Sequence, residues 1–129
     1  MSANEITRFV NAPADGGPPL YAGAVSFGGL VFTTQIPDRA DGSIELGDMR
    51  RQCEQLFLNL SEQLEAAGSS IARLLHLTIY LTDMGDRAVF NEVYVERVGQ
   101  PVPVRCAVEV SALAIDGMKV EVTAIAAVL

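Results

Sequence analysis

Residues 74–81 read Leu-Leu-His-Leu-Thr-Ile-Tyr-Leu, and this stretch decides the fold class. Apolar and polar side chains alternate along it, which is the period of a β-strand with one face in a core. The alternation predicts an apolar face made of Leu75, Leu77, Ile79 and Leu81, and a polar face made of His76, Thr78, Tyr80 and Thr82. A strand with one apolar face needs a second layer of structure over that face.

The segments on either side of this strand supply the second layer, because both have apolar side chains at helical spacing. Residues 48–68 predict a long helix that is capped by Asp48 and ended by Gly68. Its apolar stripe comprises Met49, Cys53, Leu56, Leu60 and Leu64. Asp86 opens a second helix that ends before Pro101, and one side of it carries Val89, Phe90, Val93, Tyr94 and Arg97.

Five further segments have strand character. Residues 5–10, 21–27 and 30–34 precede the first helix, and Gly28-Gly29 is a hairpin turn signal; residues 104–110 and 119–128 end the chain. The predicted order is therefore β-β-β-α-β-α-β-β. This order is typical of an α+β fold in which two helices pack on one face of a mixed six-stranded sheet. No repeat or linker interrupts it, so we expect one domain over residues 1–129.

The composition limits the classes of function open to the chain. Its 129 residues are 50% hydrophobic and carry a net charge of −7, which disfavours nucleic-acid phosphates as partners. Two cysteines are too few for a disulfide framework and favour a reducing compartment. The first five residues lack a signal-peptide pattern, and no apolar run is long enough to cross a bilayer. We therefore expect a cytoplasmic protein that binds neither nucleic acid nor membranes.

Two charged residues stand inside strands that are otherwise mostly apolar. Arg105 suits bidentate binding of a carboxylate, or it forms a structural ion pair with Glu109 or Glu121. Glu121 could hold a water molecule and move protons, or it forms a salt bridge on the sheet face. The sequence pattern assigns Arg105 and Glu121 to one polar sheet face, together with Thr78, Tyr80 and Thr123. Such a face favours burial against other subunits, and hence a homo-oligomer.

The remaining reactive residue types give weaker signals. Cys53 lies on the apolar helix stripe, and Cys106 has no evident cause for a lowered pKa, so we predict that both pack in the core. His76 is the only histidine, and no second histidine or cysteine stands at ligand spacing, so no metal site is expected. The glycine pairs do not form a phosphate-binding loop.

Short motifs occur in a specific order and spacing along nearly the whole chain. They are Asn11-Ala12-Pro13, Gln35-Ile36-Pro37, Glu65-Ala66-Ala67-Gly68, Thr78-Ile79-Tyr80-Leu81-Thr82-Asp83, Phe90-Asn91-Glu92-Val93-Tyr94, Pro103-Val104-Arg105, Val108-Glu109-Val110, Lys119-Val120-Glu121-Val122 and Ala124-Ile125-Ala126. Together they resemble the Rid family (reactive intermediate deaminases, also called YjgF-like).

This resemblance implies a chorismate-mutase-like fold and a homotrimer whose three sheets enclose a barrel. Ligand clefts would lie between subunits, and neither a metal nor an organic cofactor would be needed. Deaminases of the family hydrolyse enamines and imines of amino acids, such as 2-aminoacrylate, to 2-oxo acids and ammonia. The resemblance implies that Arg105 binds the substrate carboxylate, that Glu121 orients the attacking water, and that Tyr21 lies near the pocket. Asn91 matches a motif residue to which we assign a structural role.

The chain departs from the family pattern at three places. Thr34 stands where a glycine usually offers a backbone N–H to the carboxylate, so Thr34 would have to supply that contact. Ala107 replaces the usual cysteine, and the loop over residues 14–20 is rich in glycine and proline. Two other functions therefore stay open: a non-catalytic trimer that binds small carboxylates, and a hydrolase of a larger pathway enamine on the same scaffold. The net charge of −7 makes ribonuclease activity a poor fit.

Overall fold

The computed structural model describes residues 4–129. The expectation about a signal peptide rests partly on residues 1–3, which lie outside this range. The elements follow the predicted order. They are β1 (Thr7–Phe9), β2 (Ala24–Phe27), β3 (Leu30–Gln35), α1 (Met49–Ala66), β4 (Leu74–Leu81), α2 (Arg87–Arg97), β5 (Val104–Glu109) and β6 (Val120–Ala127), with short 3₁₀ turns at Ile71–Arg73 and Met84–Asp86.

The six strands form one mixed sheet in the order β1-β2-β3-β6-β4-β5. Among the strands of residues 4–129, only β4 and β5 pair in parallel, and α2 is the crossover between them. A parallel crossover must run over one face of the sheet, so α2 lies above β4 and β5. Both helices bury their apolar sides against the same sheet face, which confirms the predicted α+β architecture. We call this face the helix side of the sheet and the other the outer face.

The long helix α1 begins and ends at the residues that the sequence indicated. The Asp48 carboxylate accepts a hydrogen bond of 2.9 Å from the backbone N–H of Arg51, which caps the first turn. At the other end, Gly68 has φ +84°, a conformation that residues with a Cβ rarely adopt. The N–H groups of Gly68 and Ser69 donate back to the carbonyls of Glu65 and Leu64. This Schellman arrangement ends the helix, and the 3₁₀ turn at Ile71–Arg73 then leads into β4.

The strand β4 departs from strict alternation at its first residues. The register with β6 shifts between Leu74 and His76, which leaves Leu75 as an extra residue in a β-bulge. Leu74 is therefore buried on the helix side, whereas Leu75 is exposed. The predicted place of Leu75 on the apolar face is wrong, because one inserted residue reverses the facing of everything before it. From Leu77 onward the predicted alternation is confirmed.

A buried amide fixes the start of β6. Gln52 is fully buried on α1, and its Nε2 donates to the carbonyls of Gly47 and Gly117 at 3.1 Å. Its Oε1 accepts 2.8 Å from the N–H of Lys119. All three contacts satisfy a polar group that would be costly to bury unpaired. They hold the residue before β6, and so they set the position of Glu121 two residues later.

Candidate active site

The strand pairing turns the Arg105 side chain towards the helices. Arg105 lies on the edge strand β5 opposite Leu77, and Leu77 is fully buried on the helix side. Its Nη2 donates a hydrogen bond of 2.6 Å to Oδ1 of Asn91 on α2. The guanidinium carbon lies 4.6 Å from the centre of the Tyr94 ring and 5.6 Å from that of Phe90. Arg105 is thus held by one amide and two aromatic rings.

No carboxylate neutralises this guanidinium among residues 4–129. The ion pairs of this region join other side chains, and Arg105 takes part in none of them. The alternative of an ion pair with Glu109 or Glu121 is therefore wrong within one chain. Glu109 instead accepts a hydrogen bond of 2.8 Å from the N–H of Met84. A half-buried cation whose hydrogen-bond partner is the neutral amide of Asn91 keeps its full charge for an anion.

Glu121 lies on the outer face, opposite to Arg105. It pairs with Tyr80 on β4, which is one of the outward-facing residues of that strand. The prediction that Arg105 and Glu121 share a sheet face is wrong. Both strands pair with β4, where Arg105 lies opposite the inward-facing Leu77 and Glu121 lies opposite the outward-facing Tyr80. Two strand spacings and three residues separate their Cα atoms by roughly 14 Å. Partial burial raises the pKa of the Glu121 carboxyl.

A shallow concavity of about 440 Å³ occupies the outer face beside Thr34. Thr34 is exposed and pairs with Thr123, which in turn pairs with Thr78, so three threonines form a row across the sheet. All three line the concavity, together with Ala22, Phe32, Thr33, His76, Ala124 and Ile125. Among residues 4–129 no residue other than glycine has a positive φ, so Thr34 adopts its strand conformation without strain.

Tyr21 is not among the residues that line this concavity. Its side chain is 77% exposed, and the next residue, Ala22, lines the concavity. The predicted second strand begins only at Ala24, so Tyr21 belongs to the loop before it. The structure brings Thr34 and Glu121 to the outer face, but it does not bring Arg105 to them within one chain.

The two cysteines have different environments. Cys53 is fully buried, as predicted, and desolvation raises the pKa of its thiol to about 12. Cys106 is exposed on β5, so its predicted core packing is wrong. The reason is its register with Thr78, which turns it to the outer face. Ala107 takes the position on the helix side and packs against the core.

The outer face exposes several large apolar side chains to solvent. Phe32, Val104 and Val108 are 43%, 68% and 40% exposed, and strand pairing puts all three on this face. Within the described part of the chain, the edge strand β5 also leaves one side of its backbone without a neighbouring strand. An exposed apolar sheet face beside an open edge favours contact with another chain.

Two other classes of site find no support in the described part of the chain. Residues 4–129 contain no group of three or more histidine, cysteine, aspartate or glutamate residues that could hold a metal ion. Within the same range, none of the helices has the length and apolar character that a bilayer-spanning segment requires.

Asn91 makes a contact with Arg105 that the sequence does not predict. The sequence motif indicates a structural role for Asn91, and the contact follows only from the crossover of α2 above β5. The sequence signal is the place of Asn91 directly after Phe90 and three residues before Tyr94, two aromatic residues that α2 buries. The strand register of Arg105 was the missing information.

Comparisons with known proteins cover nearly the whole chain. The family model described as endoribonuclease L-PSP matches residues 11–128. A RutC family protein of Pyrococcus horikoshii is 44% identical over 124 residues, which are 95% of this chain and 96% of that protein. The chloroplastic Reactive Intermediate Deaminase A of Arabidopsis thaliana is 32% identical over 126 residues, 95% of this chain and 65% of that protein.

A solved structure supports the same relationship. The crystal structure of RidA from the Antarctic bacterium Psychrobacter sp. has a TM-score of 0.81 and 34% identity, and it covers 94% of this chain and 99% of that one. Because the Arabidopsis relative is chloroplastic by name, the cytoplasmic location of this chain stays a prediction.

Proposed function

Because the chain belongs to the Rid (YjgF-like) family, we propose that it is a deaminase that hydrolyses small 2-imino acids to 2-oxo acids and ammonia. The substrate class includes 2-aminoacrylate and its tautomer 2-iminopropionate. One observation carries the proposal: Arg105 is a half-buried cation at the edge of the sheet, held by a neutral amide and paired with no acid of residues 4–129.

Arg105 binds the substrate carboxylate in this proposal. A guanidinium has five N–H donors in one plane, and Asn91 takes one of them. The others can meet both oxygens of a carboxylate, which fixes the position of the adjacent imine carbon. The two aromatic rings beside the guanidinium lower its exposure to water, and this strengthens its attraction to an anion.

A complete site needs two chains. Arg105 and Glu121 point to opposite sides of one sheet, so one substrate cannot contact both residues of a single chain. Packing the β5 edge of one chain on the outer face of another would bring Arg105 of the first to Glu121, Thr34 and Tyr21 of the second. Three copies related in this way close into a homotrimer with three equivalent clefts. The apolar residues on the outer face support such a contact.

Hydrolysis then needs one water molecule and one proton carrier. The enamine tautomerises to the imine, which takes up a proton at its nitrogen. Water then adds to the imine carbon while Glu121 accepts one of the water protons. The resulting carbinolamine has C–O and C–N bonds at the same carbon. Glu121 returns the proton to the nitrogen, the C–N bond breaks and ammonia leaves; the hydroxyl proton passes to the Glu121 carboxylate as the C=O bond of the 2-oxo acid forms. A raised pKa suits this exchange, because it brings the pKa of the Glu121 carboxyl closer to neutral pH.

Thr34 and Tyr21 complete the carboxylate and side-chain contacts in the cleft. The Thr34 hydroxyl can donate to the carboxylate oxygen that a backbone N–H binds in relatives with glycine there. Its methyl group also narrows the concavity, which favours substrates with small side chains. Tyr21 is an exposed loop residue next to Ala22 of the concavity, and its ring can cover the bound substrate.

The test is the release of 2-oxo acid and ammonia from freshly generated 2-iminopropionate, above the rate of spontaneous hydrolysis. We expect the protein to release both products in equal amounts and to prefer small over large imino acids. Binding of 2-oxo acids without turnover would favour the non-catalytic carboxylate-binding trimer. Turnover restricted to large enamines would favour the alternative hydrolase.

A further inference from the structure

We propose that Asn91 is a positioning residue, which aims the Arg105 guanidinium at the substrate and keeps its positive charge unneutralised. This inference rests on the proposed function of Arg105 as the carboxylate anchor. It adds a second requirement to that function: the residue that holds the anchor must be neutral.

The geometry fixes both partners. Asn91 accepts the 2.6 Å hydrogen bond from Arg105, and its neighbours on α2, Phe90 and Tyr94, lie under the same guanidinium. Both rings are buried, and Phe57 of α1 packs against them at centroid distances of 5.5 and 6.4 Å. The backbone of α2 at Asn91 is therefore fixed by core packing on either side, so the amide is a rigid acceptor.

The acids of α2 are directed away from Arg105. Glu96 pairs with Arg50 of α1 at 2.6 Å, and Glu92 lies 3.9 Å from the same guanidinium. The helix thus offers carboxylates to an arginine on its solvent side and an amide to the arginine on β5. An aspartate at position 91 could make the same hydrogen bond, but it would form an ion pair and compete with a substrate carboxylate.

A purely structural role for Asn91 predicts a different order of variants. If Asn91 served only to hold α2 on β5, Asn91→Asp would keep or strengthen that contact and preserve ligand binding. Asn91→Ala would then be the more harmful change, since it leaves the guanidinium without its acceptor. The positioning role predicts the reverse for anion binding, where Asn91→Asp is the more harmful change. For stability it predicts the same order as the structural role, with Asn91→Ala the more harmful change.

The experiment compares wild type, Asn91→Asp, Asn91→Ala and the control Arg87→Gln. The control makes the same change in charge at an exposed position one turn earlier on α2. Calorimetry measures the affinity for 2-oxobutanoate, turnover of 2-iminobutanoate gives kcat and KM, and urea unfolding gives stability. We expect Asn91→Asp to keep wild-type stability and bind about tenfold to a hundredfold more weakly, with a raised KM. Asn91→Ala should lose less affinity than Asn91→Asp, and the control should match wild type.

Wild-type affinity in a folded Asn91→Asp variant would overturn the inference, as would a larger loss in Asn91→Ala. If Asn91→Asp does not fold, the test passes to Asn91→Ala: weaker binding with unchanged stability supports positioning, and unchanged binding overturns it. If wild type neither binds the 2-oxo acid nor turns over the imine, the proposed function itself fails, and the role of Asn91 fails with it.

Discussion

Replacing Arg105 with alanine tests the carboxylate anchor, and the hydrogen bonds that its guanidinium can offer set the size of the expected loss of activity. The guanidinium offers a bidentate pair of charge-assisted hydrogen bonds, at about 1.5–3 kcal/mol each. Loss of both predicts a fall in kcat/KM of about 10²- to 10⁴-fold. The folded chain loses the contact with Tyr94 and leaves Oδ1 of Asn91 without its donor, about 1–2 kcal/mol in total. The variant should therefore fold and lose most of its activity.

The assay follows 2-oxo acid release from freshly generated 2-iminopropionate, with the spontaneous rate subtracted and urea unfolding run beside it. Arg8→Ala is the matched control, because Arg8 is an exposed arginine on another strand. Arg105→Lys keeps the charge without the planar fork and should fall between wild type and alanine. A folded Arg105→Ala protein with wild-type kcat/KM would refute the anchor.

Two further predictions concern groups outside the cleft. Cys53 should stay unmodified by a thiol reagent until the chain unfolds, since burial raises the pKa of its thiol to about 12. Any labelling of the native protein should disappear in Cys106→Ser, because Cys106 is the exposed cysteine. Peptide mapping that finds label on Cys53 of the native protein would contradict this. Burial also raises the pKa of the Asp38 carboxyl in the folded state, so the folded chain loses stability as the pH rises from the unfolded value through the raised one. Asp38→Asn should thus gain stability relative to wild type as the pH rises above about 4 in urea unfolding, and a difference independent of pH would show that the carboxyl is not desolvated.

Local pattern was sufficient to predict the elements and their order. The stripe of α1, the cap at Asp48 and the stop at Gly68 are all local features, and the structure confirms them. The glycine pair between β2 and β3 is confirmed as well, with φ values of 63° and 79° that fit a tight hairpin turn.

Facing and register could not be predicted in the same way. Period 2 says that Arg105 and Cys106 point to opposite sides, but it does not say which side holds the helices. That choice depends on the pairing of β5 with β4, a contact between segments about 28 residues apart that nothing in either segment encodes alone. The bulge at Leu75 has the same origin, since only the pairing with β6 reveals the extra residue. The contact between Asn91 and Arg105 depends on both.

Mixing two inactive variants tests the shared cleft most directly. Arg105→Ala and Glu121→Gln chains are each expected to be nearly inactive, and they can be unfolded together in equal amounts and refolded. If each cleft takes Arg105 from one chain and Glu121 from another, about one quarter of the clefts in the mixed assembly recover both residues. The account predicts about a quarter of wild-type activity from the mixture. Activity no higher than that of the separate variants, in assemblies shown to contain both chains, would contradict it.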